Sequence, residues 1–167
     1  MQEKIVFVTV GTTSFDSLIR SVSSEDTCKV LQVLGYTKLI LQIGRGEFEP
    51  QGGQTVKDFD VEYYRYKNSL KEDVEKASLI ISHAGSGSVL EALGAGKPLL
   101  VVINEDLMDN HQLEVANQLY IDGHVFYANT KNLKQTLESE DFSKLKPFPR
   151  ADPKTFSNFI DSVMGFS

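Results

Sequence analysis

Two hydrophobic periods alternate along this chain. Lys4-Ile5-Val6-Phe7-Val8-Thr9-Val10 reads as a strand, and the turn Gly11-Thr12-Thr13-Ser14-Phe15-Asp16 opens a helix with Leu18, Ile19 and Val22 at helical spacing. A second helical pattern covers residues 25–34 and stops at Gly35. Lys38 to Ile43 is a strand ending in Gly44-Arg45-Gly46. Residues 47–58, with Pro50, Gly52 and Gly53, are expected to form a surface loop. Val61 to Tyr66 is the third strand, and Ser69 with Glu72 makes a capping-box signature for a helix running to about Ala77. Leu79-Ile80-Ile81 and Leu99-Leu100-Val101-Val102-Ile103 are unbroken apolar runs, as expected of parallel strands covered on both faces. A glycine-rich turn and a short helix lie between them. An acidic loop and a helix with Leu113, Ala116 and Leu119 on its apolar face follow. His124 to Ala128 is a sixth strand, and Leu133 to Leu137 belongs to a short helix. Pro147-Phe148-Pro149-Arg150 breaks the chain before a last helix, about Pro153 to Met164, striped by Phe156, Phe159, Ile160 and Val163.

Strands alternating with helices predict an α/β fold: a single doubly wound, Rossmann-like parallel sheet of about six strands, in the order 3-2-1-4-5-6. Ligands bind such sheets beyond the carboxyl ends of the strands, near the point where strand order reverses. That edge is expected to collect Gly11 to Asp16, Gly44 to Gly46, His83 to Ser88 and Asn104 to Gln112. Without internal repeats or a long linker, residues 1–150 read as one domain and 151–167 as its C-terminal helix, a handle for a partner.

Charge and cysteine usage narrow the function classes. A net charge of −6 with no basic stripe argues against a general nucleic-acid binder. The single cysteine, Cys28, rules out a disulfide within the chain and fits a reducing compartment. The apolar runs are far shorter than the roughly 20 residues of a membrane span, and residues 1–10 lack a leader pattern, so a soluble, cytoplasmic chain is expected.

The candidate chemistry lies in the central glycine-rich turn. His83-Ala84-Gly85-Ser86-Gly87-Ser88 can bend tightly and bring bare backbone N–H groups close to a ligand. The helix behind it aims its N-terminal amides at the same place, which suits a diphosphate. Glu91 falls one turn further on, where a carboxylate repels phosphate but accepts both hydroxyls of a ribose. Asn110, His111 and Gln112 gather at a strand's carboxyl end and suit sugar hydroxyls, although they also read as the polar first turn of a helix. Gly11-Thr12-Thr13 fits either a phosphate loop or an ordinary capped turn. His83 fits a ligand-lining or a backbone-satisfying role, and Arg45 a solvated turn or an anion contact. The chain has no GxGxxG behind its first strand, no P-loop, no GxSxG elbow, no zinc-ligand spacing and no Asp-x-Asp pair for a sugar-nucleotide metal.

SHAGSGSVLE, GKPLLVV and NEDLMDNHQLEVA resemble the C-terminal, nucleotide-binding half of GT-B glycosyltransferases. Within them, VFVTVGTTSFD, LILQIGRG and YRYKNSLKEDVEKASLIISHAG are most similar to the catalytic subunits of the UDP-GlcNAc transferase that adds the second sugar to the dolichol-linked N-glycan precursor. The resemblance covers about residues 4–127. It implies that Gly11, Thr12 and Thr13 lie against the diphosphate with the amides of Gly85, Ser86, Gly87 and Ser88. The backbone near Tyr66 and Lys67 reads the uracil edge, Glu91 holds the ribose, and His111 and Gln112 contact the donor sugar. The N-terminal half of a GT-B enzyme is absent, and with it the acceptor site and the usual general base, which no residue here can be assigned. The resemblance therefore implies a separate membrane-anchored subunit on the cytosolic face of the endoplasmic reticulum, a dolichol-linked GlcNAc acceptor, and inverting transfer from UDP-GlcNAc without metal or other cofactor. A sugar-nucleotide epimerase or hydrolase is the first rival, but it needs a second domain in the same chain. A non-catalytic UDP-sugar-binding module is the other.

Overall fold

The computed structural model describes residues 3–104 and 110–147. The side chains of Thr55, Ser86 and Asn110 to Leu113 lie outside that description, as does the expected helix over residues 153–164. The elements, in order, are β1 (Ile5–Thr9), α1 (Asp16–Ser23), α2 (Glu25–Val33), β2 (Lys38–Gln42), β3 (Gly53–Val56), β4 (Phe59–Tyr64), α3 (Lys71–Lys76), β5 (Ala77–His83), α4 (Ser86–Gly94), β6 (Leu99–Ile103), α5 (Asn110–Ile121), β7 (Phe126–Asn129) and α6 (Leu133–Ser139).

Seven strands form one sheet in the order β3-β4-β2-β1-β5-β6-β7. All neighbouring pairs are parallel except β3 with β4. The six parallel strands keep the expected order, which reverses between β1 and β5. Strands β1 and β6 are buried at every position because helices cover both faces of the sheet. On one face Phe15, Leu18, Ile19, Val22, Cys28, Leu31, Leu133 and Leu137 of the α1, α2 and α6 layer pack on Val6, Val8, Leu39 and Leu41. On the other, Val74, Val89, Leu93, Val115 and Leu119 of the α3, α4 and α5 layer pack on Phe7, Ile80, Leu99 and Val101. Burial of each such side chain contributes about 1.5–3 kcal/mol.

Three expectations need correction. The loop expected over residues 47–58 contains β3, an antiparallel edge strand folded back on β4 through Lys57 and Asp58, so the sheet has a seventh strand. Asp58 takes the turn's left-handed conformation at φ 62°, a place where glycine is the usual signal. Burial of Val56 against the layer that holds Phe59 anchors this short strand. The capping box does not form. Helix α3 starts one residue late, with Leu70 at its N-cap; Ser69 Oγ accepts from Lys71 N at 3.2 Å, while Glu72 reaches forward to Lys76 at 2.7 Å. A glutamate at the second helical position is one residue short of the reciprocal bond. The last described strand, β7, begins at Phe126 instead of His124, because His124 N still closes the end of α5 on Leu119 O, behind Gly123 at φ +83°.

Candidate functional site

Every parallel strand ends on the same edge of the sheet, which brings the β1–α1, β2–β3, β4–α3 and β5–α4 loops together. His83, the last residue of β5, is the point where two of them meet. An added Cβ at Gly11 falls 2.8 Å from His83 Nε2, and one at Gly85 falls 2.3 Å from His83 Cε1. The imidazole therefore packs closely against both glycines, and Nε2 lies 3.1 Å from Ser88 Oγ. Gly11, at φ +66°, turns the chain sharply at this close approach.

The start of α4 has Gly85 at its N-cap with no side-chain cap, so the first amides of the helix are left to meet a ligand or water. Three of them belong to Ser86, Gly87 and Ser88. The uncapped amides, the helix dipole and the adjoining Gly11-Thr12-Thr13 loop make a concentrated anion-binding edge. Thr13 Oγ1 donates to Val10 O at 2.9 Å and Arg45 N donates to Thr13 O at 3.1 Å, which shapes the loop from within and from the neighbouring turn.

Burial disfavours the imidazolium, so His83 is held below its ordinary pKa and is neutral at pH 7. The folded chain therefore takes up this proton at lower pH than the unfolded chain. Stability associated with His83 is complete above about pH 6.5 and falls as pH drops below that value toward the lower, folded pKa. Histidine ring resonances followed through a pH titration should place the His83 midpoint below about 6.5. A midpoint at or above that value would contradict the buried, neutral ring.

Glu91 lies one turn beyond Ser88 and is exposed, lining a groove of about 570 Å³ between α3 and α4 with Ser69, Lys71, Val74, Glu75, Gly94 and Ala95. The groove adjoins the amide cluster without being part of it. Of the β4–α3 loop, Ser69 lines it; Tyr66, whose side chain is exposed, and Lys67 lie earlier in the same loop. The Lys67 ammonium is engaged elsewhere, 3.0 Å from Asp73 and 4.3 Å from the centre of the Tyr64 ring. Tyr64 also donates to Asp73; burial, that bond and the carboxylate charge all push the phenol up. Asn110 to Gln112 open α5 at the end of β6, on the same edge.

Two residues that the sequence patterns did not single out organise this edge. Gln42, buried at the end of β2, bonds both the β1–α1 loop and the backbone of Arg65. The Arg65 guanidinium donates to Gly44 O at 3.2 Å, to Gly46 O at 2.6 Å and to Glu49 Oε1 at 3.1 Å. Arg65, and not the exposed Arg45 side chain, holds the Gly44–Gly46 turn. Asp16 accepts from Glu47 N at 3.2 Å beneath the same turn. Gly44 sits at φ +63°, and a Cβ there falls 2.1 Å from Thr13 O. The clash is with backbone, so Gly44→Ala is expected to destabilise the fold by about 3 kcal/mol, a drop of roughly 6–12 °C in thermal midpoint. An unchanged midpoint would contradict this geometry. Cys28 takes no part: it is buried on the α1–α2 side and burial pushes its thiol up to about 11.

The edge thus offers an uncapped helix start and a glycine loop for an anion, beside a carboxylate-bearing groove. The glycosyltransferase family 28 C-terminal domain matches residues 5–163. UDP-N-acetylglucosamine transferase subunit ALG13 of Homo sapiens is 59% identical over 130 residues, which are 78% of this chain and 11% of that protein. The subunit of the same name from Cryptococcus neoformans is 34% identical over 195 residues, covering 96% of each. Among solved structures, the NMR solution structure of ALG13 shares 27% identity at a TM-score of 0.75, covering 98% of each chain. The chain therefore spans only 11% of the human relative's length but nearly the whole of the fungal one. On the family match and these identities, the chain belongs to the glycosyltransferase family 28 C-terminal domain family.

Proposed function

We propose that this chain is the donor-binding subunit of an N-acetylglucosaminyltransferase. It holds UDP-GlcNAc and, with a membrane-anchored partner on the cytosolic face of the endoplasmic reticulum, delivers GlcNAc to GlcNAc-diphosphodolichol. The observation that carries the proposal is the meeting of the Gly11 loop and the uncapped start of α4 around a neutral His83, next to the groove that Glu91 lines. The relatives' names, which describe a subunit of a UDP-N-acetylglucosamine transferase, agree with it.

In this reading the diphosphate lies on the amides of Gly11 to Thr13 and Gly85 to Ser88, with Ser86 and Gly87 contributing backbone. The ribose hydroxyls reach Glu91, the uracil edge meets the backbone near Tyr66 and Lys67, and Asn110, His111 and Gln112 face the sugar. A single displacement at the anomeric carbon converts the α-linked donor into a β-linked product. Charge developing on the departing UDP is met by preorganised amides, so no metal is called for. The acceptor hydroxyl still needs a base. None of the donor-side residues is assigned that role, and the partner, which carries the acceptor-binding half of the GT-B fold, supplies it. No helix among the described residues is long and apolar enough to cross a membrane. The apolar stripe Phe156, Phe159, Ile160 and Val163 is the proposed handle for the partner.

Reconstitution tests the proposal. Purified chain, UDP-GlcNAc and a lipid-linked GlcNAc acceptor should yield the disaccharide lipid only when the partner subunit is added, and EDTA should leave the yield unchanged. Transfer by the isolated chain would overturn the division of labour. Loss with EDTA that Mg²⁺ restores, traced to donor binding, would overturn the metal-free mechanism.

A further inference from the structure

Gln42 has every hydrogen-bonding position of its carboxamide in use, and its partners come from the end of β1 and from two different loops. Its Oε1 accepts from Thr9 Oγ1 at 2.6 Å, Val10 N at 3.2 Å and Gly11 N at 3.0 Å. Its Nε2 donates one hydrogen to Gly11 O at 2.8 Å and the other to Arg65 O at 2.7 Å. The side chain is 2% exposed and has no donor left over, so it cannot serve a ligand directly. What it does is hold Gly11, in the loop that faces the anion, and Arg65, the residue that starts the β4–α3 loop bordering the groove. Strand β2 lies between β1 and β4, so a side chain at its carboxyl end is placed to reach both loops. Backbone bonds reinforce the same junction: Gly44 N donates to Arg65 O at 3.2 Å and Arg45 N to Thr13 O at 3.1 Å.

We infer that Gln42 is a positioning residue that joins the anion loop and the groove loop into one unit, so that the two ends of a nucleoside diphosphate bind cooperatively. The inference rests on the donor-site reading above and deepens it. Each end of the ligand orders its own loop, and the shared carboxamide passes that order to the other. Binding of one end then lowers the ordering cost of the second without a new contact between them. A purely structural Gln42 would raise stability but leave the affinity of the folded chain unchanged.

The full chain distinguishes these roles when UDP, uridine and inorganic diphosphate are each titrated into wild type and Gln42→Glu, well below the thermal midpoint of both. The glutamate keeps the shape and the acceptor oxygen but turns a second oxygen toward the carbonyls of Gly11 and Arg65. UDP affinity should fall about tenfold or more, while uridine and diphosphate taken singly should each fall by less than about threefold. Amide exchange of residues 11–13 and 66–69 should quicken together. UDP affinity within about twofold of wild type, or faster exchange in one loop only, overturns the proposal. Wild type alone provides a second arm, independent of whether the variant folds. Saturating diphosphate should tighten uridine binding about fivefold or more, the lower range of ordinary site-to-site coupling, and independent binding overturns the proposal. Wild type that fails to bind UDP at all defeats the donor-site reading and this inference with it. Wild type that binds UDP beside an unaffected variant defeats this inference alone.

Discussion

Replacing Gly11 by alanine is expected to lower UDP affinity about 100-fold in a chain that still folds. The left-handed conformation at φ +66° disfavours any side chain by about 1–2 kcal/mol. The new methyl also meets His83 Nε2 at 2.8 Å, and the ring has little room to retreat, since Gly85 also packs closely against it and Ser88 bonds the same nitrogen. Either the Gly11 loop moves or the imidazole does, and both surround the proposed diphosphate position. One displaced charge-assisted hydrogen bond costs about 1.5–3 kcal/mol of binding, and a free loop that relaxes out of the left-handed conformation must regain it on binding, which brings the total to roughly 2.5–5 kcal/mol. Calorimetric titration with UDP, with the thermal midpoint measured alongside, checks this. Wild-type affinity in folded Gly11→Ala protein would place the diphosphate elsewhere.

Glu91→Ala should behave differently, weakening UDP about tenfold or more while leaving the fold nearly untouched. Glu91 is exposed, its carboxylate makes no hydrogen bond or ion pair among the described residues, and substitution at such a position ordinarily moves stability by about 0.5 kcal/mol or less. A carboxylate accepting ribose hydroxyls contributes about 1.5–3 kcal/mol to binding. The loss should be largest for ligands that carry both hydroxyls and nearly absent for 2′,3′-dideoxy-UDP, which cannot offer them. Equal losses for the two ligands would mean that Glu91 does not hold the ribose.

The parallel part of the fold was legible because its signals are strong and mutually consistent. Unbroken runs such as Leu99 to Ile103 leave little choice but a buried strand, and right-handed crossovers then limit the strand order. The β3 hairpin was not legible, because a four-residue strand with Asp58 in place of a turn glycine carries almost no local pattern. Capping at Ser69 failed for a related reason: the motif places a helix start only to within a residue, and a shift of one changes which bonds can close.

At the candidate site, the glycine-rich turn and Glu91 could be read because their chemistry follows from spacing along one helix. Gln42 and Arg65 could not. Gln42 sits where a strand covered on both faces would be expected to carry another core residue, and its role depends on bonds to residues 31 to 33 positions earlier and 23 later. Arg45 is the arginine that the sequence sets within the glycine turn, whereas the Arg65 side chain holds that turn from outside. Long-range hydrogen bonding of this kind leaves no periodic trace. A polar residue at the carboxyl end of an otherwise apolar strand is the available signal, and in a doubly wound sheet that position adjoins the ligand edge.

On the proposed function, this chain carries the sugar-nucleotide site at the carboxyl ends of its parallel strands. Amide NMR shifts of the isolated chain on titration with UDP-GlcNAc test it most directly. Saturable shifts are expected at Gly11 to Thr13, Tyr66 to Ser69, Gly85 to Ser88 and Glu91, all with one dissociation constant, and little change at residues 54–56 of the outer strand β3. Absence of saturable binding, or shifts centred away from those loops, would contradict it.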